Sequence, residues 1–426
     1  MKKSLFISLL LSSVVYSQSI NELKKRFDTY LNFNGSLNNV VKFDDKSIRI
    51  LNLNKSEFTI YEGEQLILNN FFKTQYTNEL IAFYSWKKNN VLSKKQLDSL
   101  YALCVSTVEM PTLTNKGKPL FGKRIAIDPG HFAGNIADAK VEQKFIEFIP
   151  DSGSTLKDTI CFNEGKLTFQ TAELLKQQLE QQGATVFVTR TQQNYTAFNV
   201  TYQNWFDTKR KKVLDSLLLI QHIDKKKHLM LAKQTKEKLF WSFFRDYELA
   251  ERSRLINAFK PDATVIIHYN VDEKNTDWKK PTTKNYTMAF IAGAMTADNF
   301  TKTISKIHFV RLLLSNQLAQ SEQLSALSVQ AFNKQLQIPI ATKNDADYLK
   351  NSCISTSSKG VFCRNLALCR TINSPLVYGE TLYQDNINEC VKLNTTDFEI
   401  NGLILPKRIH EVVQCYYNAL NAYFNR

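Results

Sequence analysis

The chain has 426 residues, a net charge of +15 at pH 7 and 43% hydrophobic residues, values typical of a globular protein with one enlarged domain or two domains. Beyond its first residues, no stretch is long and apolar enough to predict a transmembrane helix. The chain contains no internal repeat or low-complexity tract, which excludes the repeat and disordered classes of protein.

The N-terminal residues have the composition of a secretory signal peptide. Lys2 and Lys3 precede a mostly apolar stretch from Leu5 to Val15, and Val15 and Ser17 stand at the spacing of a cleavage site. The apolar stretch is too short to span a bilayer. We therefore expect a signal peptide over residues 1–17. The mature protein should then act outside the cytoplasm, in the periplasm or the extracellular space, without a transmembrane segment.

Residues 18–109 have a pattern of their own, and we expect an N-terminal α+β region there. The role of this region is not evident from its sequence. Residues 110–120 contain two prolines and one glycine and are predicted to be a linker. The predicted elements before the linker are a basic helical start near residues 21–31, strands at Val40–Phe43, Ser47–Leu51 and Glu57–Ile60, and an amphipathic helix at Ser93–Cys104.

Two short segments after the linker read as buried strands that end at a histidine. These are IAIDPGH, from Ile125 to His131, and TVIIHYN, from Thr264 to Asn270. Runs of β-branched and aliphatic residues are typical of strands buried on both faces. Open parallel sheets bind ligands at the carboxyl ends of their strands, so both imidazoles should lie at the edge of the sheet where such folds do their chemistry.

Two glutamates are predicted to lie at the same edge. Glu164 opens an amphipathic helical pattern that ends near Gly183, and a helix that follows a strand begins near the carboxyl end of that strand. Glu380 ends another short apolar run, SPLVYGE. We therefore expect His131, Glu164, His268 and Glu380 to converge on one side of the sheet.

At these residues the chain resembles the zinc-dependent N-acetylmuramoyl-L-alanine amidases with an amidase type 3 catalytic domain. The resemblance covers roughly residues 120–425. It implies a three-layer α/β domain at 121–426, with a mostly parallel twisted sheet and helices on both faces. The matching segments, in order, are DPGH at Asp128–His131, Glu164 at a helix start, TR at Thr189–Arg190, Leu249, Arg252 and Asn257, HYN at His268–Asn270, LALCR at Leu366–Arg370 and LVYGETLYQDN at Leu376–Asn386.

The strands expected in this domain are Arg124–Ile127, Ala184–Thr189, Ala263–His268, Tyr286–Ala292, Leu366–Leu368 and Pro375–Tyr378, and the last helix is expected at Pro406–Tyr423.

The chain departs from the family pattern after its first histidine. Phe132 and Ala133 stand where the family usually has glycines, and about thirty residues separate His131 from Glu164 instead of a shorter gap. Glu142 is therefore a rival for the carboxylate ligand. We prefer Glu164 because its predicted helix leads directly into the next strand, as the ligand helix of the family does.

The resemblance implies Zn²⁺ as the cofactor, with His131, Glu164 and His268 as its ligands. Two imidazoles and one carboxylate leave a fourth, open position, which is typical of catalytic zinc. Glu380 is the candidate general base, and Asp128 is expected either behind the site or as a turn cap. The implied reaction is hydrolysis of the amide bond between N-acetylmuramic acid and L-alanine in peptidoglycan. The alternative is a non-catalytic wall-binding or regulatory protein that retains the fold.

Insertions are expected near 132–162, 196–248 and 296–360. Within the last of these, the apolar residues of Thr301–Gln337 recur at helical spacing, and we expect core packing. A helix that gates the metal site, with Glu322 approaching the metal, is the alternative. Trp205–Phe244 is a competing lid or docking arm.

The basic charge favours anionic partners. The predicted secretion signal argues against nucleic acid, whereas the free carboxylates of peptidoglycan fit the charge. The sequence does not identify any activating protein. Seven cysteines leave at least one unpaired, and none has the close spacing of a structural zinc site.

Overall fold

The computed structural model describes residues 18–74, 77–105, 117–150, 156, 158–275 and 280–425. These residues form two compact units. The predicted signal peptide and most of the predicted linker lie outside the described residues, so both stay predictions. Within the described part of the chain, no helix combines the length and the apolar character needed to cross a membrane.

The first unit comprises the described residues 18–28, 35–74, 77–105 and 297–314. Its sheet is antiparallel and runs in the order β1-β2-β3. The strands are β1 (Val41–Asp44), β2 (Ser47–Asn52) and β3 (Lys55–Tyr61). The helices are Ile20–Arg26, Gln65–Thr74, Thr77–Lys87, Lys94–Val105 and Thr303–Leu314. This is the α+β region predicted at the N-terminus.

The helix Thr303–Leu314 completes the core of this first unit although it comes from much later in the chain. Its Phe309 ring meets Phe27 with the ring centroids 6.1 Å apart. The Lys306 ammonium pairs with the Glu57 carboxylate at 2.6 Å. The buried apolar residues of this helix therefore stabilise the first unit through ordinary core packing.

The second unit comprises the described residues 29–34, 117–150, 156, 158–275, 280–296 and 315–425. Its strands are β4 (Arg124–Pro129), β5 (Phe145–Phe148), β6 (Ile160–Asn163), β7 (Thr185–Val188), β8 (Ala263–Asn270), β9 (Met288–Ile291), β10 (Cys353–Ser355), β11 (Val361–Arg364), β12 (Leu376–Tyr383), β13 (Phe398–Ile400) and β14 (Leu403–Leu405).

The helices of the second unit are Ile136–Glu142, Glu164–Gln181, Tyr202–Asn204, Arg210–Leu219, Lys225–Ala232, Lys236–Leu239, Arg245–Phe259, Gln317–Leu336, Asp347–Ser352, Ala367–Thr371, Ile387–Leu393 and Lys407–Phe424, with π-turns at Trp205–Lys209 and Phe240–Phe244.

Seven of these strands form one mostly parallel sheet in the order β10-β11-β9-β12-β8-β4-β7. Only the β10–β11 and β9–β12 pairs are antiparallel. The central strands β4 and β8 are buried along almost their whole length, because their aliphatic residues face helices on both sides. The predicted fold class, a three-layer α/β domain, is confirmed.

Helices cover both faces of this sheet. On one face, Glu164–Gln181, Gln317–Leu336 and Lys407–Phe424 enclose the large hydrophobic core. On the other face lies Arg245–Phe259, whose Arg252 pairs with Asp128 of β4. Six of the seven cysteines are buried, and Cys161 is exposed.

One predicted strand, Leu366–Leu368, is wrong. Leu366 is the N-cap of the helix Ala367–Thr371, and the strand in this part of the chain is β11, which ends at Arg364. An apolar run of three residues fits a strand and a helical turn equally well. Packing against the helix Arg245–Phe259 selects the helical turn.

The segment Tyr202–Phe244 forms a helical subdomain with its own aromatic core. Trp205 and Phe244 lie 4.4 Å apart between ring centroids, and Tyr202 and Phe244 lie 4.3 Å apart. Phe132, from the loop after β4, inserts into the same cluster. The insertion is therefore anchored on the loop that carries the first candidate ligand.

Candidate metal centre

Two strands and one helix bring the candidate ligands together. His131 follows the end of β4, and His268 lies near the end of β8, the strand next to β4 in the sheet. Glu164 is the first residue of the helix Glu164–Gln181, whose start is capped by the Asn163 side chain accepting from the Lys166 N–H. The histidines thus lie at one edge of the sheet, and the capped helix delivers the carboxylate to them.

The Glu164 carboxylate lies between the two imidazoles. Its Oε2 is 3.3 Å from Nε2 of His131, and its Oε1 is 3.0 Å from Nδ1 of His268. One donor atom from each residue lies within 4.8 Å of the others. The side chains of Glu164 and His268 are 2% and 11% exposed, so the cluster is largely screened from water.

The cluster requires close backbone approach at two glycines. A Cβ on Gly130 would stand 2.3 Å from the His268 ring, and a Cβ on Gly165 would stand 2.4 Å from the Ala133 carbonyl oxygen. Any larger residue at either position would displace a ligand or its loop. His131 itself adopts a left-handed backbone with φ of 59°, which is uncommon outside glycine.

The opposite charges of His131 and Glu164 shift the pKa of each residue in the direction that favours its charged form. Burial lowers the pKa of His131, but the carboxylates of Glu164 and Glu142 outweigh it and raise the pKa to about 9. Burial disfavours the Glu164 anion, yet the adjacent His131 charge holds the pKa of Glu164 well below its usual range. Burial lowers the pKa of His268. These shifts favour a protonated His131 beside an ionised Glu164.

Glu142, the rival carboxylate, lies behind His131. Its Oε1 is 3.4 Å from Nδ1 of His131, and it accepts the backbone N–H groups of Phe132 and Ala133. It is not one of the three residues whose donor atoms cluster together. The geometry therefore gives Glu142 the position of a residue that orients His131, and Glu164 the position of a ligand.

Phe132 and Ala133 replace glycines without opening the loop. The Phe132 ring is buried against Tyr202, Phe240 and Phe244, at centroid distances of 5.6, 5.8 and 6.1 Å. Phe132, which replaces a glycine of the family pattern, is thus accommodated because the helical insertion supplies the pocket that its ring fills.

Two buried arginines bind the backbone of the His131 loop through hydrogen bonds. Arg252 donates to the carbonyl oxygens of Pro129 at 2.8 Å and His131 at 3.0 Å while paired with Asp128 and Glu248. Arg190 donates to five backbone carbonyl oxygens around this loop, those of Pro129, Gly130, Phe132, Gly165 and Gln193. Asp128 therefore acts on this loop through Arg252.

Glu380 pairs with His268 across the β8–β12 register, on the neighbouring strand. Burial, together with the Glu164 charge, raises its pKa to about 7, against the opposing charges of Lys144 and Arg364. It lines a pocket of about 230 Å³ with all three cluster residues, so the four predicted residues do converge. The pocket lining also includes Lys144, Tyr348, Arg364 and Tyr378.

Sequence reasoning missed two residues that fix the ligands. Gln384 donates from Nε2 to Glu164 Oε2 at 3.1 Å and to the Tyr269 carbonyl oxygen at 2.8 Å. Tyr378 stacks on the His268 ring, 4.5 Å between centroids and within 5° of parallel. Tyr378 has a detectable signal, since it precedes Glu380 by two residues and alternate strand residues share a face.

The gating alternative for Glu322 is not supported by its position. Its carboxylate accepts hydrogen bonds from Tyr30 at 2.7 Å, from Ser357 at 2.7 Å and from the Ser358 N–H. These contacts tie it to the loop after β10, and it does not line the pocket of the candidate site.

Comparison with known proteins identifies the family. A sequence model described as N-acetylmuramoyl-L-alanine amidase (amidase type 3) matches residues 125–405, well over half of the chain. This chain belongs to that family. No curated protein matches it.

Solved amidase structures are similar to the chain at low identity. Ami1 from Mycobacterium smegmatis has a TM-score of 0.40 and 14% identity, covering 72% of this chain and 98% of its own. The CwlD amidase from Clostridioides difficile, solved in complex with the GerS lipoprotein, has a TM-score of 0.34 and 15% identity, covering 71% and 98%. The CwlV catalytic domain from Bacillus (Paenibacillus) polymyxa var. colistinus has a TM-score of 0.34 and 14% identity, covering 71% and 97%.

Matched carboxylate variants of this amidase should separate ligand from supporting residue. We expect Glu164→Ala and His268→Ala to lose most bound divalent metal, because each removes a donor atom. Glu142→Ala should keep the metal at saturation with about 10- to 100-fold weaker affinity, the usual cost of losing an orienting partner. Mass spectrometry after dialysis measures the metal content of each variant. Metal retained in Glu164→Ala and lost in Glu142→Ala would exchange the two roles.

Metal binding should also release a proton. The pKa of His131 is about 9, so at pH 7 its proton must leave before the ring nitrogen can bind a cation. We expect at least about one proton per metal at pH 7, and an affinity that rises with pH until about 9. Calorimetric titration in two buffers with different ionisation enthalpies measures the proton count.

Glu142→Gln is the control for this titration. It removes one carboxylate that raises the pKa of His131, and it should therefore reduce the proton release at pH 8. No proton release at pH 7 in the unaltered protein would contradict the proposed charge state of the site.

Proposed function

We propose that this chain is a zinc-dependent amidase that hydrolyses the amide bond between N-acetylmuramic acid and L-alanine in peptidoglycan. The observation that carries the proposal is the joint placement of His131, Glu164 and His268 beside Glu380 in one pocket. Membership of the amidase family supplies the substrate class.

The donor set fits zinc. Two imidazoles and one carboxylate are the ligand types of catalytic zinc sites with an open fourth position. Tetrahedral ligands about 2.0–2.1 Å from the ion lie about 3.3 Å apart, close to the 3.0 and 3.3 Å that separate the Glu164 oxygens from the two histidines. When bound, zinc would lower the pKa of a coordinated water and polarise the scissile carbonyl group.

Glu380 is suited to move the proton. It lies on the strand beside His268 and lines the same pocket, with a pKa raised to about 7 by burial and by the Glu164 charge. A group with a pKa near the working pH can accept a proton from the attacking water and return it to the leaving amine. We assign Glu380 as general base and then general acid.

The other residues hold this arrangement rigid. Gln384 fixes the Glu164 carboxylate, Tyr378 stacks on His268, and Glu142 orients His131. Such supporting contacts keep the reacting groups within a small fraction of an ångström of their working positions. The chain's own residues therefore orient both the ligands and the base before the substrate arrives.

We infer that the enzyme acts outside the cytoplasm. The signal-peptide composition of residues 1–17 supports export, and the net charge of +15 suits a substrate that carries free carboxylates. Secretion of the full-length chain with loss of its N-terminal residues, read by N-terminal sequencing of the exported protein, tests this inference.

Digestion of purified peptidoglycan tests the activity. We expect new L-alanine amino groups, released from lactyl ends, and no new reducing sugars. Glu380→Gln keeps the size of the side chain but cannot accept a proton, so turnover should fall about 100- to 10,000-fold while metal content and thermal stability stay unchanged. Quantified amino ends from the two proteins give the ratio.

Two results would oppose the proposal. New reducing ends, or no product from the metal-loaded wild-type protein, would leave the chain as a wall-binding member of the family. Wild-type turnover in Glu380→Gln would place the general base elsewhere in the pocket.

A further inference from the structure

Arg364 is a charged residue of the pocket that the proposed reaction does not use. It ends β11, and the sheet register pairs Phe362 with Phe290 and Phe290 with Tyr378. Because alternate strand residues share a face, Arg364 lies on the face that carries Tyr378 and Glu380. Its side chain reaches the 230 Å³ pocket that contains the candidate metal ligands.

The Arg364 guanidinium is held by aromatic rings alone. It stacks over Tyr348 at 4.7 Å and over Phe290 at 5.1 Å. Among the residues that the structure describes, its side chain makes no hydrogen bond and no ion pair. The two rings restrict the position of the guanidinium and leave its five N–H donors for a ligand.

The stacking platform is itself fixed. The Tyr348 hydroxyl accepts a hydrogen bond from the Asn270 side chain at 3.0 Å and contacts the Met288 sulfur at 3.5 Å. Asn270 follows His268 by two residues on β8. Tyr348, on which the Arg364 side chain rests, is thus hydrogen-bonded to the strand that carries a candidate metal ligand. This contact positions the Arg364 donors relative to the candidate metal ligands.

A second cation lines the same pocket. Lys144 lies just before β5, within the insertion that separates His131 from Glu164, and its carbonyl oxygen accepts the Glu164 N–H at 3.2 Å. Both cations act on Glu380, since each opposes the rise of its pKa. The pocket therefore presents positive charge beside the reaction centre from two separate elements.

We propose that Arg364, assisted by Lys144, forms a subsite that binds a carboxylate of the stem peptide during the proposed amidase reaction. A planar guanidinium held on an aromatic face binds a carboxylate through two parallel N–H···O bonds. The residue after L-alanine in the stem peptide carries such a group when it is isoglutamate and lacks it when it is isoglutamine. The subsite selects the acidic stem peptide, and it rests on the proposed function for the identity of that peptide.

Paired substrates test the subsite in the metal-loaded enzyme. We compare N-acetylmuramoyl-L-alanyl-D-isoglutamate with its isoglutamine counterpart. In these and in the dipeptides used for binding, the γ-carboxyl group is capped as a methylamide, so each pair differs only in α-carboxylate against α-carboxamide. Wild-type kcat/KM should favour the acid by roughly 10- to 100-fold, as expected for a hydrogen-bonded charge pair. Arg364→Gln should lose this preference, mostly through a higher KM for the acid, whereas any loss that comes from the changed charge around Glu380 should be the same for both substrates.

The controls separate recognition from a structural role. An unchanged thermal unfolding midpoint and metal content in Arg364→Gln show that the variant is folded. Arg364→Lys keeps the charge without the planar fork and should recover only part of the preference. Arg254→Gln removes an arginine that is 61% exposed and paired with Glu251, and it should leave both substrates unaffected. Equal losses on acid and amide in Arg364→Gln would overturn the carboxylate role.

Binding of dipeptides to the metal-depleted protein tests the carboxylate subsite independently of catalysis. Calorimetry should show L-alanyl-D-isoglutamate binding roughly 10- to 100-fold more tightly than L-alanyl-D-isoglutamine, and Arg364→Gln should remove the difference. Equal affinity of the wild type for the two dipeptides would overturn the subsite. If the wild type cleaves neither muramoyl peptide but still prefers the acidic dipeptide, the amidase proposal fails and the subsite stands.

Discussion

The second unit of this protein is organised around one buried carboxylate. Glu164 lies between two imidazoles that come from different strands, and its negative charge is compensated by His131 and by hydrogen bonds from Gln384 and the Tyr269 N–H. Burying an ion costs several kcal/mol unless partners surround it. The strand ends, the capped helix and the loop after β12 must all be in place for that compensation, so a single side chain couples the sheet, the helix and the site.

The same constraint explains how the loop after β4 tolerates its unusual sequence. His131 has a left-handed backbone, and larger residues follow it where the family has glycines. Phe132 is accommodated because the aromatic core of the Tyr202–Phe244 insertion encloses it, while Glu142 and Arg252 bind the backbone groups of the loop. Strain at a functional loop persists where the surrounding structure over-determines it. The insertion therefore contributes to the geometry of the site while remaining outside the pocket itself.

The parts that sequence predicts well are those written in local patterns. The β-branched runs ending at His131 and His268 predict two buried strands with a histidine at the end of each. The amphipathic pattern after Glu164 predicts the helix that carries the carboxylate. These suffice to bring the four candidate residues together. The apolar run at Leu366–Leu368 carries too little length to specify its own conformation, and tertiary packing chose a helix.

Contacts between distant segments leave no local pattern to read. Nothing in the local sequence distinguishes Gln384 from the other glutamines, because its role comes from the contact between the loop after β12 and Glu164. Arg364 likewise contacts Phe290 and Tyr348 only because three separate segments meet in the fold. The helix Thr303–Leu314 is largely apolar and buried, and nothing in its sequence indicates that its partners are Phe27 and Glu57. Such pairings are fixed by topology, which a single sequence encodes only collectively.

X-ray absorption at the zinc edge of the metal-loaded protein tests the central claim, that Glu164 and the two histidines form one metal centre, most directly. The account predicts two imidazole nitrogens and light oxygen ligands at about 2.0–2.2 Å, with four ligands in all. Glu164→Ala should retain little bound zinc after dialysis, so the zinc-edge signal per chain should fall accordingly. Sulfur ligands at about 2.3 Å, or a spectrum without imidazole, would contradict the account.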